Sequence, residues 1–208
     1  FHTGDTDTSI RFPADNTFSV ETAGSERLRI TSAGLIGVGG LTTPGALLSI
    51  PAGESNTPRF AIESAVDDND FTITQYEDGN GTYTMLGQNV KLDSGGNNTI
   101  LDSGHRTAGI LLDARNHGAI TFLTGAANAA TENLKIDASG RLLLGTTTEG
   151  EANADDLTVA TSGHTGMTIR SGTANRGNIY FSDGTSGDAE YRGYITYDHD
   201  GDKLKFGT

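Results

Sequence analysis

Apolar and polar residues alternate in short runs along this chain. In Glu26-Arg27-Leu28-Arg29-Ile30, Leu28 and Ile30 alternate with Arg27 and Arg29, so a strand built from it has one apolar and one charged face. Ile36 and Val38 resume the alternation after Thr31-Ser32-Ala33-Gly34, where Gly34 stands at the position at which a tight turn needs φ > 0. The pattern predicts a β-hairpin with strands near 27–30 and 35–38. A lone hairpin is unstable in water, so its apolar face needs a cover.

The same string recurs. Residues 132–145, Glu132-Asn133-Leu134-Lys135-Ile136 followed by Asp137-Ala138-Ser139-Gly140-Arg141-Leu142-Leu143-Leu144-Gly145, align without a gap with residues 26–39. They predict strands near 133–136 and 141–144. A third copy begins at Asp202-Lys203-Leu204-Lys205-Phe206-Gly207. Each copy has a candidate upstream partner: Ser9-Ile10-Arg11-Phe12, Ala119-Ile120-Thr121-Phe122 and Tyr194-Ile195-Thr196-Tyr197, with Thr17-Phe18-Ser19-Val20 as an extra strand-like piece before the first hairpin. Downstream, Leu48-Ser49-Ile50 matches Leu157-Thr158-Val159. Arg59-Phe60-Ala61-Ile62 matches Gly166-Met167-Thr168-Ile169, and Phe71-Thr72-Ile73-Thr74 matches the run Gly177 to Phe181. One repeat of about 105–110 residues thus runs nearly twice. Residues 89–115 have no counterpart in the second copy and read as an inserted, strand-rich section. The expected organisation is a first module over 1–115 and a second over 116–208 that ends in the truncated third copy. Ala126–Glu132 fits either a helical turn or a loop, and very little helix is expected overall.

Composition agrees with strands and turns. Of 208 residues, 34% are hydrophobic and 20% charged, with 29 Gly and only 4 Pro, which disfavours the Pro- and charge-rich profile of disorder. The net charge of −13, from 27 acidic against 14 basic residues, repels nucleic-acid phosphate and anionic membranes and keeps β edges apart. Absence of Cys excludes disulfides, thiolate metal sites and Cys nucleophiles. No apolar run approaches the ~18 residues of a membrane-spanning helix. The chain starts at Phe1 and stops within a pattern at Phe206-Gly207-Thr208, as expected of a segment of a longer polypeptide.

The strings ERLRI-TSAG-LIGVG, ENLKI-DASG-RLLLG and GNIYFSDGTSG through YRGYITYDHDGDKLKFGT resemble the distal shaft and head repeats of bacteriophage tail fibres. Fibres of phages that infect marine cyanobacteria and other marine bacteria are especially similar, over residues 9–39, 119–145 and 177–208. The resemblance implies an all-β, elongated, intertwined homotrimeric fibre of short hairpin repeats. It implies a structural virion protein that acts outside the cell in host adsorption. Its partners would be its own copies, other virion tail proteins and a host cell-surface receptor such as a polysaccharide, with no nucleic acid and no membrane insertion. It assigns no binding residue. A bacterial surface adhesin and a trimeric polysaccharide depolymerase remain the competing readings.

The homotrimer also follows from the residues. Each hairpin presents about four apolar side chains with no helix to cover them, and fully burying each is worth roughly 1.5–3 kcal/mol. Three chains around an axis bury such faces together and leave few free edges. A single-chain solenoid would need a regular period near 20–30 residues, which is absent.

Candidate chemistry is sparse. Asp198-His199-Asp200-Gly201-Asp202 places oxygen ligands at alternate positions, as a Ca²⁺ loop does, but lacks the terminal bidentate Glu and reads better as a polar hairpin turn between Tyr197 and Lys203. Asp67-Asp68-Asn69-Asp70 and Glu77-Asp78-Gly79-Asn80-Gly81 sit between strands, as turns do. His2, His105, His117, His164 and His199 are scattered, with no His-x-His. The Gly-rich Gly37-Val38-Gly39-Gly40 and Ser94-Gly95-Gly96-Asn97 open no predicted helix, so a phosphate cradle has no context. No G-x-S-x-G or H-E-x-x-H motif occurs, aromatics are only 7% and Trp is absent. The chain is therefore expected to be non-enzymatic, and no catalytic, cofactor-binding or metal-ligating residue is assigned.

Overall fold

The computed structural model describes residues 4–51, 58–115 and 118–208. Two compact units divide the chain at Ala160/Thr161. The chain is all-β, and its one helical element among the described residues is a 3₁₀ turn at Gly187–Tyr191.

The first sheet of the larger unit has five strands in chain order: β1 (Ser9–Arg11), β2 (Phe18–Thr22), β3 (Ser25–Ile30), β4 (Ile36–Val38) and β5 (Leu48–Ser49). β3 and β4 form the hairpin expected from the alternation. Gly34 has φ 78°, and its counterpart Gly140 has φ 82°, so both turns use glycine where a Cβ would be strained. The partner of this hairpin differs from expectation. β2, read in the sequence as an extra piece, pairs with β3 through Phe18↔Ile30 and Val20↔Leu28, and Ser9-Ile10-Arg11 pairs with β2. A two-residue turn at Ala23-Gly24, both at positive φ (50° and 65°), joins β2 to β3. These angles have the hand that suits a tight hairpin.

The second sheet has eight strands. Its new members are β6 (Phe60–Ile62), β7 (Phe71–Glu77), β8 (Thr82–Gln88), β11 (Thr107–Asp113), β12 (Ala119–Gly125), β13 (Thr131–Ile136), β14 (Leu142–Leu144) and β15 (Leu157–Val159). Their order is β15-β14-β13-β12-β11-β8-β7-β6. β11–β15 reproduce β1–β5. The registers Ile10↔Val20 and Ile110↔Phe122 correspond, and β5 and β15 both lie parallel to the strand before them. A bulge interrupts both pairs at the same place, after Val20 and after Phe122. β11 is therefore the counterpart of β1, so only residues 89–106 of the inserted section are additional. The junction at 115/116 lies between β11 and β12, which pair directly within one sheet. Residues 126–130 are a loop.

The additional residues form the hairpin β9 (Val90–Leu92) and β10 (Asn98–Ile100), which covers one face of the large sheet. Beneath it lies the core: Tyr83, Met85, Val90, Leu92 and Leu123. β9 pairs with β10 on one side and with no strand of the sheet, so the side facing the sheet is satisfied by side chains. Thr72 Oγ1 donates to the Val90 carbonyl at 3.3 Å, and the Leu92 N–H donates to Thr74 Oγ1 at 3.0 Å. Gly87 sits directly under β9, where any Cβ would strike the Val90 carbonyl. Asn89, fully buried and at φ 57°, ties down the following loop. Its Nδ2 donates to the carbonyls of Asp102, His105 and Arg106, and its Oδ1 accepts from the Asp102 N–H.

The smaller unit is a three-stranded antiparallel sheet, β16 (Arg176–Phe181), β17 (Gly193–Asp198) and β18 (Lys203–Gly207). Ile195↔Phe206 and Tyr197↔Leu204 repeat the registers Ile120↔Ile136 and Phe122↔Leu134. Residues 166–169, matched in sequence to β6, are not in a strand.

Candidate functional site

On the face away from β9 and β10 the large sheet carries two long rows of apolar residues. Adjacent pairings link Phe60, Ile73, Leu86, Ile110, Phe122, Leu134, Leu144 and Val159 into one row across all eight strands. A second row runs Leu112, Ile120, Ile136, Leu142 and Leu157. The five-stranded sheet repeats both rows on a smaller scale: Ile10, Val20, Leu28, Val38 and Phe18, Ile30, Ile36, Leu48. Phe12 extends the second by an edge-on contact with Phe18 at 6.1 Å between ring centroids.

These rows are not buried within one chain. Phe122 is 37% exposed, Leu112 42% and Leu144 44%, although each is flanked by strands on both sides. Leu28, Ile30, Ile36, Val38, Leu134, Ile136, Leu142 and Leu144 are the residues the alternation expects to be buried, several of them near the three-fold axis of an assembled trimer. The single chain leaves Leu28, Ile36 and Leu134 half-buried and the other five exposed. The residues it does bury lie on the opposite face, where Ser19, Gly37, Thr72, Thr74 and Thr121 stand beside the larger Tyr83, Met85, Leu123 and Leu143. Small residues suit that face because loops and β9 lie close against it, as at Gly87 and at Gly37, whose Cβ would strike the Leu41 carbonyl.

Asp198–Asp202 forms the β17–β18 turn, with Gly201 at φ 91° and Asp202 at φ 49°. Asp198 accepts from Lys205 Nζ at 2.8 Å and Arg176 Nε at 3.2 Å; the Lys205 hydrogen bond, more than any other contact, holds its carboxyl below the usual range. Asp202 accepts from the Tyr197 hydroxyl at 2.9 Å. The two carboxylates thus serve separate partners. No group of three metal-ligating side chains occurs among the described residues. Residues 67–70 fall between strands; of 77–81, Glu77 ends β7 and 78–81 lie in the turn after it. Asp78 is held below the usual range first by the Asn80 N–H and then by Arg115. His105 contacts Asp102 through Nδ1 at 2.8 Å, His199 stacks edge-on against Tyr197 at 4.8 Å and His164 is exposed. His2 and His117 lie outside the described residues. The 37–40 run belongs to β4 and the loop after it, and 94–97 to the β9–β10 turn.

A polar cleft of about 380 Å³ was not anticipated. It lies between the β9–β10 turn and the sheet, on the face opposite the apolar rows. Arg115 forms one wall. Its guanidinium sits 3.9 Å from the Tyr83 ring centroid and bonds Asp113 at 2.8 Å and Asp78 at 2.9 Å. Burial pushes the Tyr83 hydroxyl pKa up, and that hydroxyl donates to the Gly96 carbonyl. Glu132 and Lys135 line the other side. The one sequence signal for this site is that Glu132 and Lys135 repeat Glu26 and Arg29.

No protein-family model and no curated protein matches the chain.

Proposed function

We propose that this chain is a structural segment of a virion tail fibre that assembles as a homotrimer and serves in host adsorption. The observation that supports it most is the half-exposed apolar row running across all eight strands of the large sheet and repeated in the five-stranded sheet. Exposed rows of this length are costly in water unless another surface covers them. Further copies of the same chain are the fitting occupant, because every repeat presents the same two rows and three such faces can close around an axis without leaving sheet faces wet. The resemblance to tail-fibre repeats supports the same assignment. Recognition then falls to loops and insertions, which vary between the copies while the hairpins stay constant.

The test is the mass in solution. Three 21.7 kDa chains weigh 65.1 kDa, and light scattering on the purified chain is expected to return that value. A mass of 21.7 kDa at tens of micromolar, with native β signal intact, overturns the assembly reading.

A further inference from the structure

We infer that the cleft roofed by the β9–β10 turn binds a hydroxylated carboxylate of monosaccharide size, the chemistry of a uronic acid unit. Its use in adsorption rests on the reading above; the site itself does not. The two copies of one hairpin differ at this site. In the first copy, Arg29 closes on Glu26 in a two-pronged pair, Nε to Oε1 at 2.7 Å and Nη2 to Oε2 at 2.6 Å. The second copy places Lys135 and Glu132 at the same positions, beside an equivalent bulge. There the two side chains form no ion pair or hydrogen bond with each other or with any other described residue. This open pair occurs in the copy that carries the β9–β10 insertion, and the insertion supplies the roof that turns a surface into a cleft.

The available groups define the ligand. Arg115 is already engaged by two carboxylates, so it is a fixed wall rather than an anion receptor. Lys135 is the cation left to receive an anionic group, and an ammonium–carboxylate hydrogen bond is among the stronger polar contacts. Glu132 offers two acceptor oxygens, which hydroxyl donors satisfy, and Asn98 and Thr121 add further polar groups along the trough. A neutral sugar would leave Lys135 unpaired. A small amino acid would pair both charges but leave the neutral polar groups unused in a cleft of about 380 Å³. That volume falls within the usual range for small-ligand sites, roughly 300–1,000 Å³. Thr121 and Lys135 alternate with Ile120, Phe122, Leu134 and Ile136, so assembly through the apolar rows leaves the cleft on the outward face.

The experiment is a calorimetric or ligand-observed NMR titration of the full chain with sodium D-glucuronate, with D-glucose and L-serine as comparison probes. Saturable glucuronate binding is expected, with glucose and serine clearly weaker. Lys135→Met should weaken it by at least about tenfold, the equivalent of ~1.4 kcal/mol lost with a charge-assisted hydrogen bond. Lys135→Arg should retain most of the affinity, Glu132→Gln should weaken it by a few-fold, and Glu26→Gln in the closed copy should change nothing. Lys135 is a partly exposed side chain, and an unchanged melting temperature separates lost binding from lost fold. Absence of binding, an unaffected Lys135→Met, or serine binding as tightly as glucuronate each overturns the inference. The mass measured on the same samples keeps the two readings apart. A monomer that binds glucuronate sinks the trimer and leaves the site, whereas a trimer that does not bind sinks the site alone.

Discussion

Phe122→Asp strikes the centre of the long apolar row, between Ile110 and Leu134 on the neighbouring strands. In one chain Phe122 is 37% exposed. Taking about 200 Å² for a whole phenylalanine, some 75 Å² remains for another chain to cover. At about 25 cal/mol per Å² this contributes about 2 kcal/mol per chain and about 6 kcal/mol for three. Such a loss corresponds to about four orders of magnitude in the association constant, before the cost of burying an unpaired carboxylate is added. Light scattering from one to one hundred micromolar should therefore show the variant as 21.7 kDa chains where the parent assembles. Phe122→Thr keeps strand propensity and should give a smaller shift in the same direction. Val66→Asp, at a loop residue 88% exposed and off the row, should leave assembly unchanged. If Phe122→Asp assembles like the parent at every concentration, with the same circular dichroism, the row is not an interface and the reasoning fails.

Asn89→Ala removes four side-chain hydrogen bonds beneath the 101–106 loop and places alanine at φ 57°. A loss of about 3 kcal/mol is expected, seen in calorimetry as a fall in melting temperature of roughly 6–12 °C. Asn89→Asp should be at least as damaging at neutral pH, because a carboxylate cannot donate to three carbonyls. Asp137 is held below the usual carboxylate range, chiefly by Arg141, so its contribution is fully present above the unfolded value near about 4 and is lost as pH falls through the lower folded value. Thermal melts should therefore show Asp137→Asn less stable than the parent at pH 6–7 and the gap closing toward pH 2; a gap independent of pH would refute the pairing. Finally, a trimer of chains at −13 carries −39, and added NaCl screens that repulsion over a Debye length of about 10 Å at 0.1 M. Melting temperature should rise from low to moderate salt, and a flat response would show the acids too well spread to matter.

The hairpins were legible because alternation fixes strand, face and turn together, as at Leu28, Ile30, Gly34, Ile36 and Val38. The partner of the first hairpin was not. Ala23-Gly24 lacks the Asn-Gly or Asp-Gly that marks a two-residue turn, and alanine at positive φ is costly enough that no local signal announces it. β2 therefore read as an extra piece rather than as the counterpart of β12. Met167 and Ile169 illustrate the reverse failure. Their sequence matches β6, but β6 is a strand because β7 pairs with it, and pairing is not written in the segment itself. The cleft escaped because it is made by a difference between copies. Glu26 and Arg29 look like Glu132 and Lys135 until the β9–β10 hairpin is seen to lie over the second pair.

Alternation shows that a strand has two unlike faces; it does not say which face the same chain covers. A half-solvated antiparallel sheet ordinarily turns its apolar face to its own core. Here the face covered by the chain itself carries Ser19, Gly37, Thr72, Thr74 and Thr121 beside Tyr83, Met85, Leu123 and Leu143, while Phe122, Ile110, Leu134 and Leu144 point the other way and stay half-exposed. Reversing the sheet would not correct this, because β9 lies so close that Gly87 has no room for a Cβ, and the threonines there hold its backbone. On the large sheet Thr72, Thr74 and Gly87 are fitted to the insertion, and Tyr83, Met85 and Leu123 pack beneath it. Within one chain the apolar rows stay half-exposed. In the proposed trimer they are covered only on assembly. Mutations in the rows should then act on association before they act on the fold, whereas mutations at Asn89 or Gly87 should act in the opposite order.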